Sequence, residues 1–154
     1  MKKWVIWLLS VIGIELTGVI SSLFAGDIGA MYQAMDKPPF SPPGSVFGII
    51  WTILYAMMGT ALFLLIVAED TKWKKIAIVL FGLQQILNFS WSIIFFGGNN
   101  LGIASTVIVV LDLLILASIW AFAKVNRWAS YLFMPYLIWC LYATYLCIGF
   151  AILN

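Results

Sequence analysis

Eight tryptophans, eleven phenylalanines and six tyrosines stand in a chain of 154 residues that contains no histidine. This combination narrows the available chemistry. Without imidazole there is no histidine general base and no histidine ligand for a metal or a haem iron. The two cysteines, Cys140 and Cys147, lie seven residues apart in one apolar stretch. A helix holds such a pair too far apart for a disulfide or a shared zinc ion. No glycine-rich phosphate cradle occurs, and no helix carries paired carboxylates. The sequence therefore predicts neither a resident metal nor a cofactor. Aromatic rings, side-chain amides and two isolated acids remain.

These groups recur at helical spacing. Phe47, Trp51 and Tyr55 are four residues apart and follow the proline-rich run Lys37-Pro38-Pro39-Phe40-Ser41-Pro42-Pro43. Gln84, Asn88, Trp91 and Phe95 share one helical face, as do Trp139, Tyr142, Ala143 and Leu146, with Ala143 leaving room beside Trp139. Three converging aromatic faces under a stiff proline segment predict a lidded cavity for a flat ligand, with Pro42 in its lid. An amide in hydrocarbon is costly unless it faces inward, where it bonds a neighbouring helix, water or a ligand; spacing alone leaves that choice open. Trp4, Trp7, Trp73 and Trp128 lie near the ends of apolar runs and read as interfacial anchors, whereas Trp51, Trp91 and Trp139 lie deeper. Glu15 and Asp112 are acids inside apolar runs that contain no Lys or Arg. Protonation, hydrogen bonding to neighbours and hydration all stay open for them, and Asp112 is the one expected to border the pocket.

The elements that must position these side chains follow from composition. The chain is 64% hydrophobic and 9% charged, with a mean hydropathy of +1.09, far from soluble usage. Apolar runs cover about 4–24, 46–68, 76–96, 101–123 and 128–150. Each is long enough for the roughly 20 residues that a helix needs to cross hydrocarbon. Alternating ten-residue strands are missing, so the expected fold is an all-α integral membrane protein, one five-helix bundle over 1–154 with a long Pro-rich first loop at 26–44. The first run is too long for a signal-peptide core and is interrupted by Glu15, which favours a retained helix. Gly13, Thr17, Ser21 and Ala25 form a small-residue stripe on it, suited to close packing either within the bundle or across a dimer. Gly97-Gly98-Asn99-Asn100 and Val125–Arg127 are short connections that make the last three helices antiparallel neighbours.

The proline-rich run, with Trp51, Leu54-Tyr55 and Gly59, resembles the first-loop and second-helix signature of the TspO/MBR family, the tryptophan-rich sensory proteins and translocator (peripheral-type benzodiazepine receptor) proteins. Gln84, Leu87-Asn88, Trp91 and Phe95-Phe96-Gly97 are similar to its third-helix signature. Pro135-Tyr136, Trp139, Ala143-Thr144 and Leu146 are similar to its fifth. The resemblance implies a five-helix bundle, often a homodimer, that binds porphyrins, haem, sterols and benzodiazepine-site ligands beneath the first loop. It also implies light-dependent porphyrin breakdown as an alternative, with Trp51 and Trp139 as electron relays. The chain departs from the pattern at Phe40, Ile49, Ser92, Ile93 and Cys147. Where the family often has proline after the third-helix tryptophan, Ser92 and Ile93 remove an expected kink. No Lys or Arg follows Tyr142, so the proposed sterol motif is incomplete. A bacterial-type member with a tetrapyrrole ligand is the expectation, set beside the photochemical enzyme and a packing subunit without a ligand.

Seven of the eight basic residues (Lys2, Lys3, Lys72, Lys74, Lys75, Lys124 and Arg127) fall at one end of such a bundle, and only Lys37 at the other. They are topology signals rather than a nucleic-acid surface. They predict a multi-pass protein of the cell membrane with a cytoplasmic N-terminus, the Pro-rich segment and C-terminus facing outward. An impermeant maleimide applied to intact cells should label a cysteine placed at Ser41 and miss one at Thr71; the reverse pattern inverts the topology.

Overall fold

Hydrocarbon offers no water to backbone N–H and C=O groups, so each span satisfies them within its own helix. The computed structural model describes residues 1–154 as all helix and connection. Helix α1 runs Lys3–Ala25, α2 Ile28–Ala34, α3 Gly44–Ile66, α4 Lys72–Ser92, α5 Leu101–Ala123 and α6 Arg127–Leu153. All but α2 are long and apolar enough to cross a membrane. Side-chain oxygens close the helix starts: Asp27 accepts from the Ala30 N–H, Thr71 from Lys74, Asn100 from Ile103, and Asn126 from Trp128 and Ala129.

The spans form a ring in the order α1, α3, α6, α5, α4, closed by α4 against α1. Two packed regions fill it. One, toward the basic end, gathers Met58, Leu65, Phe81, Ile115, Phe122, Phe133 and Tyr136; the other, under α2, gathers Tyr32, Phe95, Phe96, Ile108, Leu146 and Phe150. Thr17 and Ser21 of the small-residue stripe face α4. Thr17 Oγ1 accepts from Gln85 Nε2 at 2.7 Å, and Ser21 Oγ donates to the Phe89 carbonyl at 2.6 Å. Part of that stripe thus serves packing inside one bundle. Trp7 is more than an anchor, since its indole N–H donates to Thr60 Oγ1 at 3.1 Å and ties α1 to α3.

Two expectations are corrected. The segment at 26–44 is not loop throughout, because α2 occupies Ile28–Ala34 behind its Asp27 cap. Nor does the missing proline leave the third span regular. Ile93–Gly97 is a π-helical turn, with the Gly98 N–H bonded to the Ile93 carbonyl at 2.7 Å. Gly97 sits where an added Cβ would lie 3.3 Å from the Phe24 carbonyl oxygen, so close contact with the end of α1 accompanies the widened turn.

Gly59 is where α3 comes closest to α1. A Cβ there would lie 2.5 Å from Val11 Cα and 3.0 Å from the Ser10 carbonyl oxygen, whereas a Cβ at Gly13 meets nothing within 4 Å. Gly59→Ala should therefore cost roughly 1–3 kcal/mol by forcing two backbones apart, while Gly13→Ala should stay within about 0.5 kcal/mol. Thermal midpoints in one detergent check the difference; equal midpoints would remove the close contact.

Candidate ligand-binding site

A cavity of about 900 Å³ lies beneath α2 and the proline-rich segment. That is the upper part of the range of small-molecule sites. Helix α3 lines it with Phe47, Trp51 and Tyr55, the α4 end with Trp91, Phe95 and Phe96, and α6 with Ala143, Leu146, Cys147 and Phe150. A fourth wall comes from α1, through Glu15, Gly18, Val19 and Ser22. Pro42 is in the roof with Tyr32, Lys37 and Ser41. Eight of the residues singled out by spacing and signature are thereby brought together: Pro42, Phe47, Trp51, Tyr55, Trp91, Phe95, Ala143 and Leu146.

The rings brace one another. Trp51 lies 5.5 Å from Tyr55 and 6.2 Å from Tyr136, and Trp91 stacks on Phe95 at 5.0 Å with 25° between planes. The Trp91 indole N–H is buried without a partner. A Cβ at Gly18 would fall 2.1 Å from Tyr55 Cε2, so glycine there lets the ring lie flat against α1. Tyr55 then reaches the buried amides: its hydroxyl donates to Asn88 Oδ1 at 2.8 Å, Asn88 Nδ2 donates to Tyr136 Oη at 2.9 Å, and Tyr136 Oη donates to Gln84 Oε1 at 2.9 Å.

Four other candidates are not on the cavity wall, two of them because they belong to that row. Gln84 and Asn88 are buried and bonded to the tyrosines of α3 and α6, which puts them behind Tyr55. Asp112 turns toward α6 instead, where its Oδ2 accepts from Thr144 Oγ1 at 2.6 Å and its Oδ1 is buried without a partner. Trp139 stands behind Phe47, edge to face at 5.8 Å, and its indole N–H is also unpartnered. The acid on the wall is Glu15, and Lys37 is the cation in the roof.

The roof is fastened. Tyr32 Oη donates to the Pro42 carbonyl at 2.7 Å, Tyr142 Oη to Phe40 at 2.6 Å and Tyr145 Oη to Pro39 at 2.8 Å. Burial pushes the Tyr32 phenol above its ordinary value, which keeps the donated proton in place. Asn154 bonds both the N–H and the carbonyl of Asp36 at 2.9 Å. The Lys37 ammonium lies 5.1 Å from the centre of the Tyr32 ring. Sequence reasoning did not single out Tyr32, Tyr145 or Phe150. Their partners are distant in the chain, and only the run of Tyr142 and Tyr145 at i, i+3 hinted at a second aromatic face at the outer end of α6.

Comparison with known proteins identifies the family of the chain. The TspO/MBR family profile matches residues 7–153. The tryptophan-rich protein TspO of Chlorobaculum tepidum is 38% identical over 152 residues, 95% of this chain and 94% of that protein. The tryptophan-rich sensory protein of Cereibacter sphaeroides is 35% identical over 113 residues, 73% of this chain and 70% of that protein. The translocator protein of Ovis aries is 34% identical over 118 residues, 75% of this chain and 69% of that protein. With its five spans and with these relatives, the chain belongs to the TspO/MBR family of multi-pass membrane proteins.

Proposed function

We propose that the chain is a receptor- or transporter-like protein of the cell membrane that takes up a porphyrin or related tetrapyrrole, and benzodiazepine-site ligands, in the cavity under α2. One observation carries this reading: a roofed cavity of about 900 Å³ walled by Trp51, Trp91, Phe47 and Phe95. Broad indole and phenyl faces favour a large flat apolar body. Lys37 in the roof suits a carboxylate on its edge. The split of basic residues supports a cytoplasmic N-terminus, which puts the roof on the outer side. Homodimer formation is part of the same proposal and rests on family membership.

Filling the cavity tests the site. Ala143 lines it in the buried part of α6, and Gly48 lines it on α3 with nothing within 4 Å of an added Cβ. Ala143→Trp and Gly48→Phe should each weaken protoporphyrin binding, read by absorbance titration, by tenfold or more. The helical circular dichroism should be unchanged. Wild-type affinity in both folded variants would put the ligand elsewhere.

The second reading, light-dependent breakdown of the bound porphyrin, is favoured by the position of Trp51 on the wall, within 6.2 Å of Tyr136. A photoexcited porphyrin in contact with an oxidisable indole is the arrangement that a relay needs. Trp139 is the weaker partner, because Phe47 stands between it and the cavity. Trp51→Phe keeps an aromatic face and should change affinity by less than about threefold. If Trp51 is a relay, the variant should lose most of its light-driven bleaching, followed at the porphyrin absorption band. Bleaching at the wild-type rate in Trp51→Phe/Trp139→Phe would leave a binding protein whose ligand sensitises its own decay.

A further inference from the structure

A second groove lies on the far side of the bundle, remote from the roofed cavity. It follows the outer seam of α5 and α6 and measures about 710 Å³. Leu113, Leu116, Ala117 and Trp120 line it from α5 at i, i+3, i+4 and i+7, and Arg127, Ser130, Tyr131 and Met134 face them from α6 at the same spacing. The small side chains of Ala117 and Ser130 make the floor. The Ser130 hydroxyl donates to the Ile119 carbonyl at 2.8 Å and clamps the two helices together there, so the groove keeps its polar groups satisfied and its surface apolar.

The groove is graded from end to end. Leu113 and Ala123 bound it along α5 and stand ten residues apart, a helical rise of about 15 Å. That is half of a hydrocarbon core about 30 Å thick, the depth of one leaflet. Its deep end is purely aliphatic. Its shallow end carries Arg127 on the rim and Lys124 just beyond, both exposed and neither paired with an acid; the one ion pair in the protein joins Lys74 to Asp70. Aromatic rings flank the cations. Lys124 Nζ stands 5.8 Å over the Trp120 ring, Trp73 buttresses Trp120 edge to face at 4.9 Å, and Trp128 meets Tyr131 at 5.8 Å. Around this end the chain places seven basic side chains against two carboxylates, Glu69 and Asp70.

We infer that the outer seam of α5 and α6 is a binding site for an anionic phospholipid. Its head group lies against Arg127 and Lys124, and one acyl chain lies in the channel between Leu113, Leu116, Ala117 and Met134. The occupant must have an apolar tail one leaflet long and a negative head at the membrane surface, and the surrounding bilayer supplies such molecules. Guanidinium suits phosphate by its forked donors, and the neighbouring ammonium adds charge without demanding geometry. Tyr131, Trp120 and Trp128 lie at the level where amphipathic rings rest, which keeps the cations at head-group height. This inference does not depend on what fills the roofed cavity.

The experiment is native mass spectrometry of the full chain in detergent, after incubation with phosphatidylglycerol or with phosphatidylcholine of the same acyl chains. The wild type should retain phosphatidylglycerol at least tenfold better. Lys124→Gln/Arg127→Gln removes two exposed, unpaired cations and should abolish that preference. Lys2→Gln/Lys3→Gln removes the same charge from the same end, away from the groove, and should keep it. Ala117→Phe fills the floor with every charge intact and should lose the lipid. Equal loss in both double variants would reduce the effect to diffuse charge and overturn the site. Absence of any head-group preference in the wild type would do the same. If Ala117→Phe leaves lipid retention alone and instead shifts the mass from dimer to monomer, the seam belongs to a second copy of the chain and the proposal fails.

Discussion

The hydrogen-bonded row Tyr55–Asn88–Tyr136–Gln84 is the interaction on which the bundle depends. In lipid, helices gain nothing by hiding apolar surface from water, because the tails around them are as apolar as leucine. What distinguishes one arrangement of apolar helices from another is then close packing and the pairing of buried polar groups. This row joins α3, α4 and α6, and the link from Gln85 to Thr17 extends it to α1. Each bond contributes on average only about 0.6 kcal/mol within a membrane. The row therefore selects register more than it supplies stability, since a slip of one residue would strand an amide in hydrocarbon. It also ends the cavity. Tyr55 is the last residue of α3 on the wall, and its hydroxyl is turned toward Asn88.

At the opposite end, the roof is held by the same helix that supplies one wall. Tyr142 and Tyr145 of α6 donate to the carbonyls of Phe40 and Pro39, and Asn154, just past its end, takes both polar groups of Asp36. Pro38 is buried against Gly149, where an added Cβ would stand 2.6 Å from the proline ring. Phe40 adopts φ 63°, a left-handed conformation costly for a bulky residue, and the Tyr142 bond to its carbonyl compensates. The prolines reduce the freedom of this segment in the unfolded chain, so less entropy is lost when it is fixed in the roof. Roof, C-terminus and the Ala143–Leu146 wall form one mechanical unit.

Some of this was legible in the sequence, and the boundary has a physical meaning. The spans were legible because hydrocarbon imposes a length and a composition on any helix that crosses it. The faces of Phe47, Trp51 and Tyr55 were legible because a spacing of four on a rigid helix leaves little choice of direction. Pairing across the bundle was not. Gln84 and Asn88 had to face inward, but whether their partner is a ligand or Tyr136 depends on a helix 48 to 52 residues away. The same reason moved the wall acid from Asp112 to Glu15. Asp112 meets Thr144 on the helix packed beside it, whereas Gly18 near Glu15 admits Tyr55 and brings that part of α1 against the cavity. Helix α2 carried a readable local sign, Asp27 capping Ala30, hidden by the prolines that follow it. The π turn carried none, because proline is only one of the ways to distort a helix.

The closed floor restricts how any ligand can sit. The Tyr55 hydroxyl and both ends of the Asn88 amide are already bonded within the protein, so the deep side of the cavity has little polar capacity to offer. Lys37 stands in the roof and Glu15 on the α1 wall, and they are the only charged side chains of the lining. A molecule with acidic groups on one edge then has one favourable orientation, with that edge toward the roof and its apolar body against Trp51, Trp91 and Phe95. The lining thus offers its one basic side chain at the roof and its aromatic faces from α3 and the end of α4.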